Sequence, residues 1–504
     1  MLQVSIVGRL KAQALALASA VLALASPADA QRPDTDPTLL FAFDVGDEVF
    51  RFDGEEVRVH YALEGANAVP SEDTDDTGAP DFVEMVARNY DVALREYARL
   101  GFRMPLPDGA LGGDARPDVY LIDFGRSADG AFQRDGCATA TCSGYMVQEN
   151  DFAGYGYFNL DVAVRVVGSH ELFHAIQAAY SLESSAVLSE GTATWGTEAV
   201  DPALGDFERA IFGFLSEPER PLFSMSATVL DRFSYGSALF FRFMEERYGT
   251  DAIVELLEQA EGVEWRDATV TLVEELDAPF AEVYADFVRW NLGTGQNDPD
   301  GYAEGARYPT VTPREVELPL EDERPRHFHA AARVYEAPLG ARRNVRIELV
   351  NGAAPLHLIA MGSREGSADL ASVVRSDDGF IELSLTDHDT LVFAVVNGAS
   401  VGPSDRASVC AGTATETAAC VAALQIEEDA GMPDGGMPDQ GAGDIDAGLL
   451  DAGAIDAAPS DANPPDFSVG DAGMDGSGSG SGCSASGTPN LWSLLVLLCF
   501  VRRR

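Results

Sequence analysis

Lysine is almost absent from this sequence: Lys11 is the only one among 504 residues, and every later cation is an arginine. The chain holds 34 basic against 82 acidic residues, so its formal net charge at pH 7 is −48. Proteins bind nucleic-acid phosphates through clustered arginines and lysines. The sequence therefore argues against nucleic acid as a partner. Apolar residues make up 46% of the chain, which allows a sizeable core in each of two domains.

The N-terminus has the pattern of an export signal. Arg9 and Lys11 precede an apolar run over 14–25, and small residues at 28–30 offer a cleavage site before Gln31. We therefore predict that 1–30 is a signal peptide. The mature chain would begin at Gln31 and reach an oxidising compartment.

Cysteine is scarce, with 6 residues, and four of them lie in two close pairs. In an oxidising compartment such cysteines can form disulfides, and the short separations favour Cys137 with Cys142 and Cys410 with Cys420. A cysteine metal cluster is the alternative. It is disfavoured because neither pair has the two-residue gap that is usual in such clusters.

Histidine is rare as well, with 7 residues, yet His170 and His174 stand four apart in the stretch HELFH. On a helix this spacing places both imidazoles on one face, where they can share one metal. Glu171 is rotated by about 100° from His170, so it can act on a water at the metal without being a ligand. Glu190, on an expected second helix, can supply the third ligand and leave a fourth position open. The alternative is a partly buried helix with an incidental histidine pair.

HELFH followed by SEGTATW, which contains Glu190, resembles the gluzincin metallopeptidases, the group that includes thermolysin and the aminopeptidase-N-like enzymes. The similarity is greatest to predicted metalloproteases of myxobacteria, and it covers about 90 residues. It implies an α+β fold with a thermolysin-like catalytic domain, with zinc held by His170, His174 and Glu190. It also implies peptide-bond hydrolysis with Glu171 as the general base. Thr194, four residues after Glu190, is a candidate hydrogen-bond partner for a ligand histidine.

Two further segments are similar to parts of the aminopeptidase-N-like enzymes. Tyr235 matches the tyrosine of their YxKG stretch, which donates a hydrogen bond to the oxyanion; a buried structural tyrosine is the alternative. Glu149 and Asn150 loosely match their GxMEN signature, with the spacing changed by two residues. In these enzymes the strand before the zinc helix borders the cleft and pairs with an extended substrate. An edge strand with incidental acids is the default interpretation here, so we favour an endopeptidase acting on protein or peptide substrates.

An acidic loop of twelve residues has the spacing of a calcium site. Oxygen-bearing side chains occupy positions one, three, five, nine and twelve, and a glycine occupies position six. These five residues are Asp73, Asp75, Thr77, Asp81 and Glu84. No helix precedes the loop, so we predict a calcium loop without a complete EF-hand. The alternative is an acidic turn that caps a helix over 81–100.

Changes in sequence pattern divide the chain into domains. Residues 31–307 are predicted to form the catalytic domain, with a sheet region to about 160 and then the zinc helix and a helical lobe. Expected strands in the first region cover 39–43, 57–61 and 119–122, with His60 on a solvent-facing side. Short alternating strands predict an antiparallel β-sandwich over 308–426. Residues 427–482 are rich in Asp, Ala, Gly and Pro and cannot bury a core, so we predict a disordered, extended acidic tether.

The last segment, 483–504, has a cysteine, a short apolar run and three arginines. The apolar run over 491–501 is too short for a stable membrane span. The pattern resembles the MYXO-CTERM sorting tail. This resemblance implies a sorting protease that acts near Cys483, a lipid linked to Cys483, and a protein attached to the outer membrane at the cell surface or secreted after release. A plain weak membrane anchor is the alternative.

A second function remains open for the whole chain: a non-catalytic, surface-displayed binding or scaffold protein with a metal-stabilised domain. The intact HELFH motif with Glu190 argues against it, because a structural zinc normally has four protein ligands.

Overall fold

The computed structural model describes residues 31–429, except for 139, 182–184, 224–230, 353–355, 365–372 and 403. The predicted signal peptide, nearly all of the acidic tether and the sorting tail with Cys483 lie outside the described residues. The described part is a mixed α+β fold, as predicted. None of its helices is long and apolar enough to cross a membrane.

The N-terminal region forms a mixed five-stranded sheet in the order β1-β2-β3-β5-β4. Strands β2, β3 and β5 run parallel, whereas β1 and β4 are antiparallel to their neighbours. The strands are β1 (Val49–Asp53), β2 (Arg58–Ala62), β3 (Asp118–Ile122), β4 (Gly130–Ala138) and β5 (Thr141–Glu149). Helix α1 (Asp81–Arg99) packs against this sheet and against the next helix, and its apolar face includes Phe82, Val86 and Tyr90.

Among the described residues, eight helices follow the sheet before the C-terminal region. Helices α2 and α3 are adjacent in sequence and pack against each other. Helices α4, α5 and α6 pack against α3, and α7, α8 and α9 each pack against the preceding helix. They are α2 (Leu160–Ala178), α3 (Ala186–Val200), α4 (Asp206–Leu215), α5 (Arg232–Gly236), α6 (Ala238–Tyr248), α7 (Asp251–Gln259), α8 (Trp265–Leu276) and α9 (Phe280–Leu292).

Two sheets from the C-terminal region enclose a second core. The five-stranded sheet has the order β11-β10-β13-β8-β6, and the four-stranded sheet has the order β12-β9-β14-β7. All pairings are antiparallel except that of β6 with β8. The elements are β6 (Arg314–Glu315), β7 (Leu320–Asp322), β8 (Ala331–Pro338), β9 (Asn344–Val350), β10 (Leu356–Ser363), β11 (Val374–Ser376), β12 (Phe380–Ser384), β13 (Thr390–Asn397), β14 (Ser408–Gly412) and a final helix α10 (Ala414–Asp429).

The five-stranded C-terminal sheet is buried on both faces. Along β13, Phe393 and Val395 belong to the core between the two sheets, whereas Ala394 and Val396 belong to the core of the helical region. Helix α9 packs directly on this strand. The sequence of this strand is therefore one continuous apolar run, without the alternation of apolar and polar residues that is typical of a sheet with one solvent-exposed face.

Two predictions for the N-terminal region are wrong. Residues 39–43 form bends instead of a strand. His60 is fully buried instead of facing solvent, and its Nε2 lies 2.7 Å from Asp118 Oδ1. His60 is buried because Asp118 belongs to a cluster of charged residues from distant parts of the chain. At its centre is Arg32, which is 2% exposed and forms ion pairs with Asp108, Asp118 and Asp135.

One guanidinium cannot neutralise all the carboxylates of this cluster. Burial raises the pKa of Asp108 to about 6, and the charges of Asp118 and Asp135 act in the same direction against the opposing effect of Arg32. The cluster ties the first residues of the predicted mature chain to the sheet.

Candidate metal centre

Helices α2 and α3 carry the predicted metal ligands, and both are buried on most sides. Asn159 caps α2 by accepting a hydrogen bond from the Val162 N–H, and Ser185 caps α3 in the same way from the Leu188 N–H. Gly168 allows close packing of α2, since a Cβ there would lie 3.1 Å from the Tyr90 ring of α1. The predicted zinc helix and second helix are thus present.

The three predicted ligand atoms converge. His170 Nε2 lies 3.1 Å from His174 Nε2 and 3.2 Å from Glu190 Oε2, and His174 Nε2 lies 3.5 Å from the same oxygen. Atoms bound tetrahedrally at zinc distances of about 2.0–2.1 Å are about 3.4 Å apart. Two imidazole nitrogens and one carboxylate oxygen at this spacing fit a zinc ion.

The surroundings of Glu190 also favour a cation. Glu190 is 6% exposed, and its only ion-pair partners among the described residues are the two histidines. A buried carboxylate is stable only when it is paired with positive charge. Burial lowers the pKa of His174, but the Glu190 carboxylate opposes this effect and the pKa rises to about 9. The pocket therefore attracts positive charge, and a metal would displace protons from it.

Gln177 orients His174. Its Nε2 donates to the carbonyl oxygen of Ser189 at 2.8 Å and to the hydroxyl of Thr192 at 2.7 Å. A carbonyl only accepts hydrogen bonds, so the amide oxygen Oε1 must be the atom that faces His174 Nδ1 at 2.8 Å. His174 Nδ1 therefore carries the proton, and the lone pair of Nε2 points to the other ligands.

Gln177 was missed from the sequence, where Thr194 was expected in this role. No hydrogen bond joins Thr194 to His170 or His174, although Thr194 is buried on α3. The signal for Gln177 was its position three residues after His174, which places it one helical turn along the same face of α2.

Glu171 is buried beside the ligands. It is 8% exposed, and burial raises its pKa, while the nearby histidines act in the opposite direction. Strand β4 lies against it: a Cβ on Gly130 would be 2.9 Å from Glu171 Oε1 and 2.8 Å from Glu171 Cγ. A residue with any side chain at 130 would therefore displace the carboxylate. Glu171 has a raised pKa and a fixed position, as expected for a proton acceptor close to the metal ligands.

Tyr235 lies near the ligands on α5. Its ring stacks on that of His170 with centroids 5.8 Å apart. Burial raises its pKa well above the usual value, and the charges of Glu190 and Glu171 add to this effect. The hydroxyl therefore keeps its proton at neutral pH and can act as a hydrogen-bond donor.

The expected substrate-pairing strand is placed differently. Glu149 ends β5, which lies between β3 and β4 and has no free edge. The carboxylate of Glu149 accepts hydrogen bonds from Phe124 N and from the Tyr155 hydroxyl, both at 2.9 Å. The side-chain amide of Asn150 donates to Ala66 O and Ala68 O. Both residues hold loops in place, and among the described strands β4, not β5, is the edge strand on this side of the sheet.

The acidic loop brings three of its carboxylates together. One oxygen each of Asp73, Asp75 and Asp81 lie within 4.8 Å of one another. Thr77 donates from its hydroxyl to Glu84 and from its backbone N–H to Asp73. The helix predicted over 81–100 begins at Asp81, but its N-cap is Pro80, without a side-chain cap. The arrangement is compatible with a cation and does not identify calcium.

Both predicted disulfides are confirmed. Cys137–Cys142 closes the hairpin of β4 and β5, and Cys410–Cys420 joins β14 to α10, with Cα atoms 4.1 Å and 5.9 Å apart. Neither pair is available for a metal cluster.

Comparison with known proteins finds no matching family model and no matching curated protein.

Proposed function

We propose that this protein is a zinc metallopeptidase with a thermolysin-like catalytic domain that hydrolyses protein or peptide substrates. The observation that carries the proposal is the convergence of His170 Nε2, His174 Nε2 and Glu190 Oε2 at separations of 3.1–3.5 Å. Glu171 lies beside them as a buried acid that is not part of the convergent set. Three protein ligands leave a fourth position open, as catalytic zinc requires and structural zinc does not.

Zinc in this position would supply a Lewis acid that polarises the scissile carbonyl and acidifies a water molecule. Glu171, which is buried beside the ligand residues, would accept a proton from the attacking water and deliver it to the leaving amine, for which its raised pKa is suited. Tyr235 keeps its proton and donates a hydrogen bond to the oxyanion. Gln177 holds His174 in the tautomer that leaves Nε2 free for the metal.

The free edge of β4 gives a place for an extended substrate. Gly130, at the start of this strand, touches Glu171, so a peptide paired with the strand would run past the base. Main-chain hydrogen bonds to a strand edge bind a peptide irrespective of its side chains. We further propose, from the sequence, that the enzyme is exported and displayed at the cell surface by its C-terminal tail.

The test compares hydrolysis by the wild type and the Glu171→Gln variant. We measure zinc content and cleavage of casein and of quenched fluorescent peptides. The expected result is equal zinc in both proteins and a loss of hydrolysis by about 10²–10⁴-fold in the variant, which is the usual contribution of a general base.

Glu198→Gln is the matched control. Glu198 is a buried glutamate on α3, and burial raises its pKa to about 7, so an amide fits its surroundings. The Glu198→Gln variant should keep the zinc content and the hydrolytic activity of the wild type. Full activity of Glu171→Gln would contradict the assigned role, and zinc without hydrolysis in the wild type would favour a scaffold protein.

A further inference from the structure

A carboxylate next to the proposed catalytic residues lacks a cationic partner. Asp129 directly precedes Gly130, which contacts Glu171, and it is half-buried. Its Oδ2 accepts a hydrogen bond from the Tyr157 hydroxyl. No described arginine forms an ion pair with it. Arg209, whose charge acts on Tyr157, pairs with Asp206 at 2.6 Å.

Asp129 lies close to the proposed general base. A Cβ on its neighbour Gly130 would lie 2.9 Å from Glu171 Oε1, so the start of β4 places the Asp129 backbone beside Glu171. A zinc ion would contribute two positive charges, which Glu190 and Glu171 would balance. Asp129 is a further carboxylate near this point, and it has no ion-pair partner among the described residues.

The acidic character continues away from the metal ligands. The Tyr155 hydroxyl donates to the carbonyl of Ala128, beside Asp129, and to Glu149 at 2.9 Å. Glu149 lines a cavity of about 240 Å³ together with Asp123 and Asp151, and Arg126 is the only basic residue in its lining. The carboxylates here outnumber the basic residues, so this surface favours a cationic ligand group over an anionic one.

We propose that Asp129 is a specificity-determining residue that pairs with a cationic group of the substrate, either a basic side chain or a free α-amino group. This inference rests on the proposed peptidase function, and it names the substrate class of the same site. The group would lie at the start of β4, beside the point where Gly130 meets Glu171.

The experiment compares arginine with citrulline, which has nearly the same shape and no charge. A series of quenched fluorescent peptides carries one or the other at each of the four positions on either side of the scissile bond, with a free or acetylated N-terminus. We measure kcat/KM for the wild type, Asp129→Asn and Asp206→Asn. Asn at 129 can still accept the Tyr157 hydrogen bond through its amide oxygen, so the fold should be retained.

We expect the wild type to prefer the charged peptide by about tenfold at one position, and this preference to disappear in Asp129→Asn. Asp206→Asn, which removes an acid already paired with Arg209, should keep the preference. Dependence on arginine at an internal position identifies a basic side chain. Dependence on an unacetylated terminus identifies an α-amino group. Equal kcat/KM for charged and neutral peptides in the wild type would overturn the proposal while leaving the peptidase function intact.

A binding measurement separates this proposal from the peptidase function. Ketomethylene analogues of the same peptides cannot be hydrolysed, and calorimetry gives their Kd on the zinc-loaded proteins. Tighter binding of a charged analogue that depends on Asp129 supports the proposal even if the wild type cleaves nothing, in which case only the peptidase function fails. The proposal is overturned if Kd is the same for arginine and citrulline and also for free and acetylated N-termini, or if no analogue binds.

Discussion

Replacing Gln177 by methionine should weaken zinc binding without touching a ligand. Methionine has a similar length, but it has no hydrogen to donate to Ser189 O and its sulfur is only a weak acceptor for His174 Nδ1; both contacts are 2.8 Å in the structure. His174 would then rotate and change tautomer more freely. Its Nε2 lone pair would point to the other ligands for only part of the time.

The expected magnitude follows from the role of such orienting partners. Their loss typically costs 10–100-fold in metal affinity, which corresponds to about 1.4–2.8 kcal/mol. The protein should also lose about 1 kcal/mol of stability in the absence of metal, because the hydrogen bonds of Gln177 to α3 disappear.

The assay is competition for zinc against a chromophoric chelator, with thermal unfolding of the metal-free proteins measured in parallel. Thr194→Val is the control, since Thr194 is buried on the same helix as Glu190 but bonds to neither histidine. We expect its zinc affinity to stay within about twofold of the wild type. Equal zinc affinity in Gln177→Met and the wild type would refute the argument, and a larger loss in Thr194→Val would return the orienting role to Thr194.

Three further outcomes are expected. Gly130→Ala should displace Glu171 and lower kcat by at least about tenfold with zinc retained, because the new Cβ would lie 2.9 Å from Oε1; Gly156→Ala, which meets nothing within 4 Å, should leave kcat unchanged. The raised pKa of Asp108 means that the folded state holds its proton more tightly than the unfolded state, so the stabilisation it contributes is present below pH 3.8 and is lost by about pH 6. Urea titrations at the two pH values should show a loss of unfolding free energy of up to about 3 kcal/mol in the wild type, and Asp108→Asn should lack this loss. The same change in unfolding free energy in both proteins would contradict the argument. If the acidic loop binds calcium, millimolar Ca²⁺ should raise the Tm of the wild type but not of Asp73→Asn, and an equal rise in both would exclude the loop.

Local spacing made the ligand set predictable. The four-residue separation of His170 and His174 determines their relative position on any helix. The two disulfides could be predicted for the same reason, since each joins cysteines no more than ten residues apart in sequence. The role of Gln177 as the hydrogen-bond partner of His174 was equally predictable, because Gln177 lies three residues after His174 on α2. The sequence analysis assigned this role to Thr194 instead.

Non-local pairing explains the errors. The sequence predicts a strand before the zinc helix, but only the strand order shows that β4, and not β5, has the free edge. His60 alternates with apolar neighbours as a solvent-facing residue would, and its burial depends on Asp118, which is 58 residues away in sequence. The continuous apolar run of β13 is typical of a strand that is buried on both faces, but it does not show that the helical region covers the outer face.

The central claim is that zinc binds where His170, His174 and Glu190 converge. The most direct test is the metal content of the purified mature protein after dialysis, measured by inductively coupled plasma mass spectrometry for the wild type and for His174→Ala. We expect a content of about one zinc per wild-type chain and almost no zinc in the variant. No zinc in the wild type, or the same zinc content in both proteins, would contradict it.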